Sequence, residues 1–102
     1  MAKSDKIYNT PTMNVREAKQ VLSEELETYQ AKPYGDLAQS IDQNFYCIRK
    51  GASGKEYQLE VLVLWDSNAG GAIRVIGSID DGGWRAFLPI TDSILINAEK
   101  PK

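Results

Sequence analysis

A chain of 102 residues, 42% hydrophobic and 25% charged, has the composition of one globular domain with one modest core; that size buries roughly 65% of the unfolded surface. The formal charge is −2 and the pI about 5.1, which argues against a general nucleic-acid binder, because neutralising phosphates takes a basic excess. Histidine is absent and Cys47 is the single thiol, so Ser-His-Asp and Cys-His hydrolysis are excluded in their usual forms, zinc would have to rely on Cys47 and carboxylates, and no intrachain disulfide can form.

Residues 1–13 are polar and contain no apolar signal-peptide segment. They read as a partly ordered N-terminal arm in which Ile7-Tyr8 can supply a short edge strand. No apolar run approaches the ~20 residues of a membrane span. The expectation is a cytoplasmic protein with no membrane contact.

Asn14 opens the clearest element. Asn14-Val15-Arg16-Glu17 has the spacing of a capping box, with Asn14 as N-cap and Glu17 at the third helical position. Val15, Ala18, Leu22, Leu26 and Tyr29 then recur at helical spacing, and Val21 widens the stripe. Lys32-Pro33 ends the helix, since the residue before proline is pushed out of the helical region. Glu24, Glu25 and Glu27 stand toward its C-terminal half, where the macrodipole disfavours negative charge. They are either a solvated acidic face or a patch for a basic partner. The next segment, Tyr34 to Gln39 and on to Ile41, is open to two readings. Asp36 and Gln39 can cap a short helix burying Leu37 and Ile41, or the segment is an ordered loop.

From Asn44 the pattern becomes β. Asn44–Lys50 is rich in Phe45, Tyr46 and Ile48. Glu56–Asp66 is the longest strand, Ala72–Ile79 the third and Trp84–Ile90 the fourth. Turns fall at 51–54, 67–71 and 80–83, each carrying glycine. Pro89 marks an edge or the end of pairing. Ser93–Ile96, with Ile94, Leu95 and Ile96, is either a fifth strand or a covering segment, and 97–102 is a loose polar tail. The expected domain is therefore 14–96: an α+β fold in which an N-terminal amphipathic helix packs on a four- to five-stranded antiparallel meander, roll-like in shape. The order of elements resembles that of cystatin and monellin, which implies a sheet wrapped around the helix and nothing about function.

Tyr57–Trp65 carries the main functional signal. Tyr57, Leu59 and Val61 alternate with Gln58 and Glu60, as in a strand with one wet face. From Val61 the alternation stops, because Leu62 and Leu64 make the second face apolar as well. One helix covers one face of a sheet, so the other face is expected to display Leu62, Leu64 and Ile76, joined by Trp84 and Phe87 from the fourth strand. Large apolar patches on soluble proteins mark interfaces. The reading is a small protein-interaction domain, a homodimer or the binder of a protein partner. Ile94-Leu95-Ile96 is the intrachain competitor for covering the patch.

Other features carry less. Asp80-Asp81-Gly82-Gly83 suits a hairpin turn better than a Ca²⁺ loop, which needs alternating ligands and a closing glutamate. Its carboxylates are expected beside Arg49, Lys50 and Lys55, away from Asp66. Gly70-Gly71 lacks the helix start and Lys-Ser/Thr pair of a phosphate loop. Trp65, Trp84, Tyr57, Phe87 and Phe45 suit core packing better than a stacking platform for single-stranded nucleic acid, which needs a basic groove, with Trp84, directly after a turn, the exception that suits an interface. Cys47 reads as a small buried hydrophobe, with Arg49 on its face. No catalytic residue, metal ligand or cofactor site follows. Two alternatives stand beside the interaction domain: a small-molecule-binding roll with a pocket between helix and sheet, and an inhibitor or immunity-type protein using Glu24, Glu25 and Glu27.

Overall fold

The structure is a computed structural model that describes residues 14–82 and 89–98. The N-terminal arm, the tail from residue 99, and Trp84 and Phe87 lie outside the described residues.

Helix α1 spans Val15–Gln30. Asn14 caps it: its side-chain oxygen accepts the Glu17 N–H at 3.1 Å, satisfying one of the orphan donors of the first turn. Ala18, Val21, Leu22, Leu26 and Tyr29 are buried, whereas Val15 is 36% exposed. The expected stripe therefore starts one turn later. Ala31 closes the helix just ahead of Pro33. The ambiguous segment begins as a second, short helix, α2, Tyr34–Ala38, which buries Leu37 and leaves Ile41 half-buried. The Tyr34 hydroxyl donates to the Gly71 carbonyl at 2.6 Å, tying α2 to the far turn of the sheet.

Four strands follow: β1 Asn44–Lys50, β2 Glu56–Trp65, β3 Ile73–Asp80 and β4 Ile90–Ile96. They form one antiparallel meander in the order β1-β2-β3-β4. The partner of β3 is thus Ile90–Ile96, with Ile79 opposite Ile90 and Ile73 opposite Ile96. The strand expected at Trp84–Ile90 lies largely outside the described residues. Ser93–Ile96, expected as a fifth strand or a cover, is the second half of β4. Two features favour this placement. Pro89 has no N–H for a ladder, so pairing starts after it. Ile90, Ile94 and Ile96 also share one side of β4, as the sequence alternation requires.

Alternate side chains of β2 (Tyr57, Leu59, Val61, Val63) and β3 (Ile73, Val75, Ile79) point toward α1, and all are at most 2% exposed. Gly77 fills the remaining position of that β3 row. A methyl group there would sit 2.7 Å from Leu22 Cδ1 and 3.1 Å from Leu26 Cδ2. The missing side chain lets α1 settle on the sheet, over β3 and β4.

That contact makes a prediction. Gly77→Ala should overpack the helix–sheet contact and lower stability by about 1–3 kcal/mol, and Leu22→Ala should cost about 2–5 kcal/mol by leaving a cavity. Because the new methyl group occupies space that Leu22 vacates, the double variant should be clearly more stable than the two losses added together. Urea midpoints of the four proteins measure this, and strict additivity would show that Gly77 and Leu22 do not share that space.

Candidate interaction face

The ladder register sorts the strands into two faces. Toward α1 lie the rows Phe45, Cys47, Arg49 and Tyr57 to Val63, with Ile73 to Ile79 and Ile90 to Ile96 taken alternately. On the opposite face stand Tyr46 and Ile48 of β1, Gln58, Glu60, Leu62 and Leu64 of β2, Arg74, Ile76 and Ser78 of β3, and Thr91, Ser93 and Leu95 of β4. No described element packs over this second face.

Leu62 and Ile76 are direct cross-strand partners at its centre. Leu64 lies one step along β2, and all three are half-buried. Leu95, 41% exposed, extends the patch onto β4. The competing cover does not form, because Ile94 and Ile96 point to the helix side while Leu95 joins the open face. On β1, Tyr46 and Ile48 are 71% and 65% exposed. The apolar surface therefore runs diagonally, from Leu64 and Leu95 near the Asp66 end to Ile48 near the β1–β2 turn.

Polar groups rim it. Arg74 lies between Leu64 and Leu95 in the register. Its guanidinium turns to Asp66 at 3.0 Å and donates to Ser93 Oγ at 3.2 Å. The Tyr46 hydroxyl donates to Glu60 at 3.1 Å, and that bond, which the ionised phenol could not donate, raises the phenol pKa. A half-buried aliphatic centre thus lies within a hydrogen-bonded polar margin.

Of the five expected interface residues, Leu62, Leu64 and Ile76 lie together on this face, whereas Trp84 and Phe87 are outside the described residues. Sequence reasoning left out Tyr46, Ile48 and Leu95. The alternation Phe45-Tyr46-Cys47-Ile48 already placed Tyr46 and Ile48 on one side. Leu95 depended on knowing that its segment pairs with β3.

The helix side is organised differently. Cys47 is exposed, not buried as its strand position suggested. α1 lies mainly over β3 and β4 and meets this row at Phe45, whose ring centroid is 6.0 Å from that of Tyr29, and at Arg49, leaving Cys47 between them exposed. Burial of part of the thiol and the nearby Glu25 carboxylate raise its pKa, against the pull of Arg49, so nothing activates it as a nucleophile. Arg49 donates to Glu25 at 2.6 Å and approaches Glu24 at 4.0 Å. Two of the three glutamates proposed as an acidic docking face are thus engaged by their own sheet. Asp81 pairs with Lys55 at 3.1 Å, matching the two turns at that end. Asp80 accepts the Gly82 N–H at 2.7 Å, and Gly82 has φ +80°, which is turn chemistry. Between α1 and the sheet, Leu22, Leu26, Val61, Val63 and Val75 are fully buried, while a cleft lined by Glu17, Gln20, Val21, Glu24, Lys50 and Gly51 opens between α1 and the β1–β2 turn.

Glu17 braces the β1–β2 hairpin. Its carboxylate accepts the Ser53 N–H and the Ser53 hydroxyl, each at 2.7 Å, and the Tyr57 hydroxyl at 2.8 Å. The residue expected to complete a capping box is thus the anchor of a turn far away in sequence. A Cβ on Gly51 would run into this carboxyl group. The Ser53 bonds and then the Tyr57 bond hold the Glu17 pKa below its ordinary value. Burial first, and then the Glu17 carboxylate, push the Tyr57 phenol up to about 12.

No protein-family model, curated protein or solved structure matches the chain.

The brace predicts a pH signature. Glu17 titrates lower in the folded state, so its contribution is present above the unfolded carboxyl pKa and is lost as pH falls through the folded value. Tyr57 titrates higher, so its contribution is complete below about pH 10 and is lost as pH rises toward its folded value of about 12. Glu17→Gln should therefore flatten the acid limb of the stability curve, and Tyr57→Phe the alkaline limb. Urea midpoints across pH test both; variant curves parallel to the wild type would place the titrating groups elsewhere.

Proposed function

We propose that this chain is a protein-interaction domain that works through the second face of its sheet, self-associating or taking a protein partner there. The observation that supports this reading most strongly is the cluster of Leu62, Leu64, Ile76 and Leu95 on a face that no described element covers, continued by Tyr46 and Ile48. Isolated exposed apolar residues are ordinary, but a connected set with a bonded polar rim calls for a partner. A specific interface buries about 800 Å² on each side. The second face of a four-stranded sheet is the broad, flat surface on which that can be met.

Size-exclusion chromatography with light scattering at micromolar concentration tests the self-associating form. The wild type should run at twice the chain mass of 11.4 kDa or more. Leu62→Arg and Ile76→Arg should each weaken association by about tenfold or more, the loss expected of a central contact worth at least ~1.4 kcal/mol. Both positions are half-buried and the arginine can extend into solvent, so circular dichroism should remain native. A wild type that stays monomeric throughout would remove self-association. Arginine variants that associate like the wild type would move the interface off this face.

A further inference from the structure

The two edges of the sheet are not equivalent. In an antiparallel ladder, each residue of an edge strand turns its N–H and C=O either into the sheet or away from it, in alternation. The bonds flanking β1 fix the phase. Val63 donates to the Gln43 carbonyl at 3.4 Å and Gly51 donates to the Lys55 carbonyl at 2.9 Å. Odd-numbered residues of β1 therefore bond to β2. Asn44, Tyr46, Ile48 and Lys50 present their backbone groups outward, and no described residue pairs with them.

On β4 the same reasoning turns Thr91, Ser93 and Leu95 outward. There the edge is blunted. Pro89 precedes the strand, and the Ser93 N–H is taken at 2.8 Å by the Asp92 carboxylate. Charges, proline and side-chain capping are the usual protections of an edge. The inner residues of β1 have none of them: Arg49 is drawn to Glu25, and Lys50 stands at the strand's end.

We propose that a second copy of this chain adds at the open edge of β1, antiparallel and centred on Cys47, to make one continuous eight-stranded sheet. The register follows from the phase. Outward residues must face outward residues, so only even-numbered positions can share the new hydrogen bonds. Centring on Cys47 is the one register that pairs all four of them, setting Tyr46 against the second copy's Ile48 and Asn44 against its Lys50. Neither flanking register does so. Aromatic against β-branched is a favourable cross-strand pair. No like charges meet, because Lys50 faces Asn44 and Arg49 faces Phe45. A two-fold axis through the Cys47 pair makes the contact self-complementary, as a closed dimer requires. Tyr46 and Ile48 of both copies then line the seam on the second face, joining the two Leu62–Ile76 patches into one surface. This rests on the reading that the protein self-associates, but it concerns the edge and not the face.

Cys47 reports the register. Facing cysteines in the non-hydrogen-bonded pair of an antiparallel ladder have Cα atoms about 4.5 Å apart, within the roughly 4.4–6.8 Å that a disulfide spans. Under copper(II)-phenanthroline, two Cys47 thiols would give one disulfide, releasing two protons and passing two electrons to copper(II). The native protein should link on the order of 100-fold faster than the urea-unfolded protein at the same micromolar concentration, because pairing raises the effective thiol concentration toward millimolar. Tyr46→Cys and Ile48→Cys, each combined with Cys47→Ser, should not share this acceleration. Ile48→Pro removes an outward N–H that β2 does not use, so light scattering should find it monomeric. If that variant does not fold, the linking rates decide alone. A light-scattering dimer whose Cys47 links no faster than the unfolded chain would overturn edge pairing and leave self-association standing. Acceleration at position 46 or 48 in place of 47 would overturn the register. A monomer without acceleration would overturn both this inference and the self-association on which it rests.

Discussion

Gly77 is where the helix comes down on the sheet, and the rest of the architecture follows from that contact. Leu22 and Leu26 occupy the room that a side chain on Gly77 would take. Close contact at this one point maximises dispersion and apolar burial, at about 1.5–3 kcal/mol for each fully buried leucine. It also fixes where the helix cannot be. A helix of 16 residues is only about 24 Å long and roughly 10 Å wide. Seated over β3 and β4, it covers half the width of a four-stranded sheet and leaves the helix side of β1 to be managed by other means.

Those other means are the ring of Tyr29 against Phe45 and long polar side chains. Arg49 extends from β1 to Glu25, and Glu17 extends from the first turn of α1 to Ser53 and Tyr57. Salt bridges between exposed groups contribute little, but these two sites differ from an open surface pair. Glu25 is largely shielded, and the Tyr57 hydroxyl belongs to a fully buried residue that needs an acceptor once it leaves water. Glu17 supplies that acceptor and at the same time takes the N–H of the turn. Bridging groups of this kind hold β1 at a set distance from the helix without filling the gap between them. Hence Cys47, which lies in the gap, remains exposed while its neighbours along the same row are engaged.

Local regularities were legible in the sequence, and long-range pairings were not. The helix, its cap and its ending follow from periodicity, Asn14 and Pro33. The first three strands follow from alternation and glycine turns, and the apolar second face follows from Leu62 and Leu64 alone. That Ile90–Ile96 as a whole is the strand beside β3 could not be read, because Thr91, Asp92 and Ser93 interrupt its apolar residues and only the pairing to β3 assigns it. The exposure of Cys47 was hidden for a similar reason. A strand position shows which face a residue shares, but not whether a helix reaches it, and that depends on Gly77. Glu17 was misassigned because a capping box and a tertiary anchor look the same in sequence; the outcome depends on what the hairpin brings within reach. Leu95, Tyr46 and Ile48 belong to the candidate face through sheet geometry, which hydrophobicity alone does not convey.

The chemistry of the second face limits what can dock on it. The charged groups at its centre are spent within the chain, Arg74 on Asp66 and Ser93 and Glu60 on Tyr46, and Lys50 and Glu56 stand opposite each other at the β1–β2 end. With a net charge of only −2, little long-range field remains to steer an encounter or to reject a wrong partner. Selectivity on such a surface must come from shape and from hydrogen bonds along its rim. Affinity must come from the area of Leu62, Leu64, Ile76 and Leu95 removed from water. A flat sheet of one copy offers few pockets for anchoring side chains. Two copies joined along an edge would offer a seam, where the exposed rings of Tyr46 and the branched chains of Ile48 give relief to an otherwise even surface. Any partner larger than one sheet would be recognised best by such a joined face.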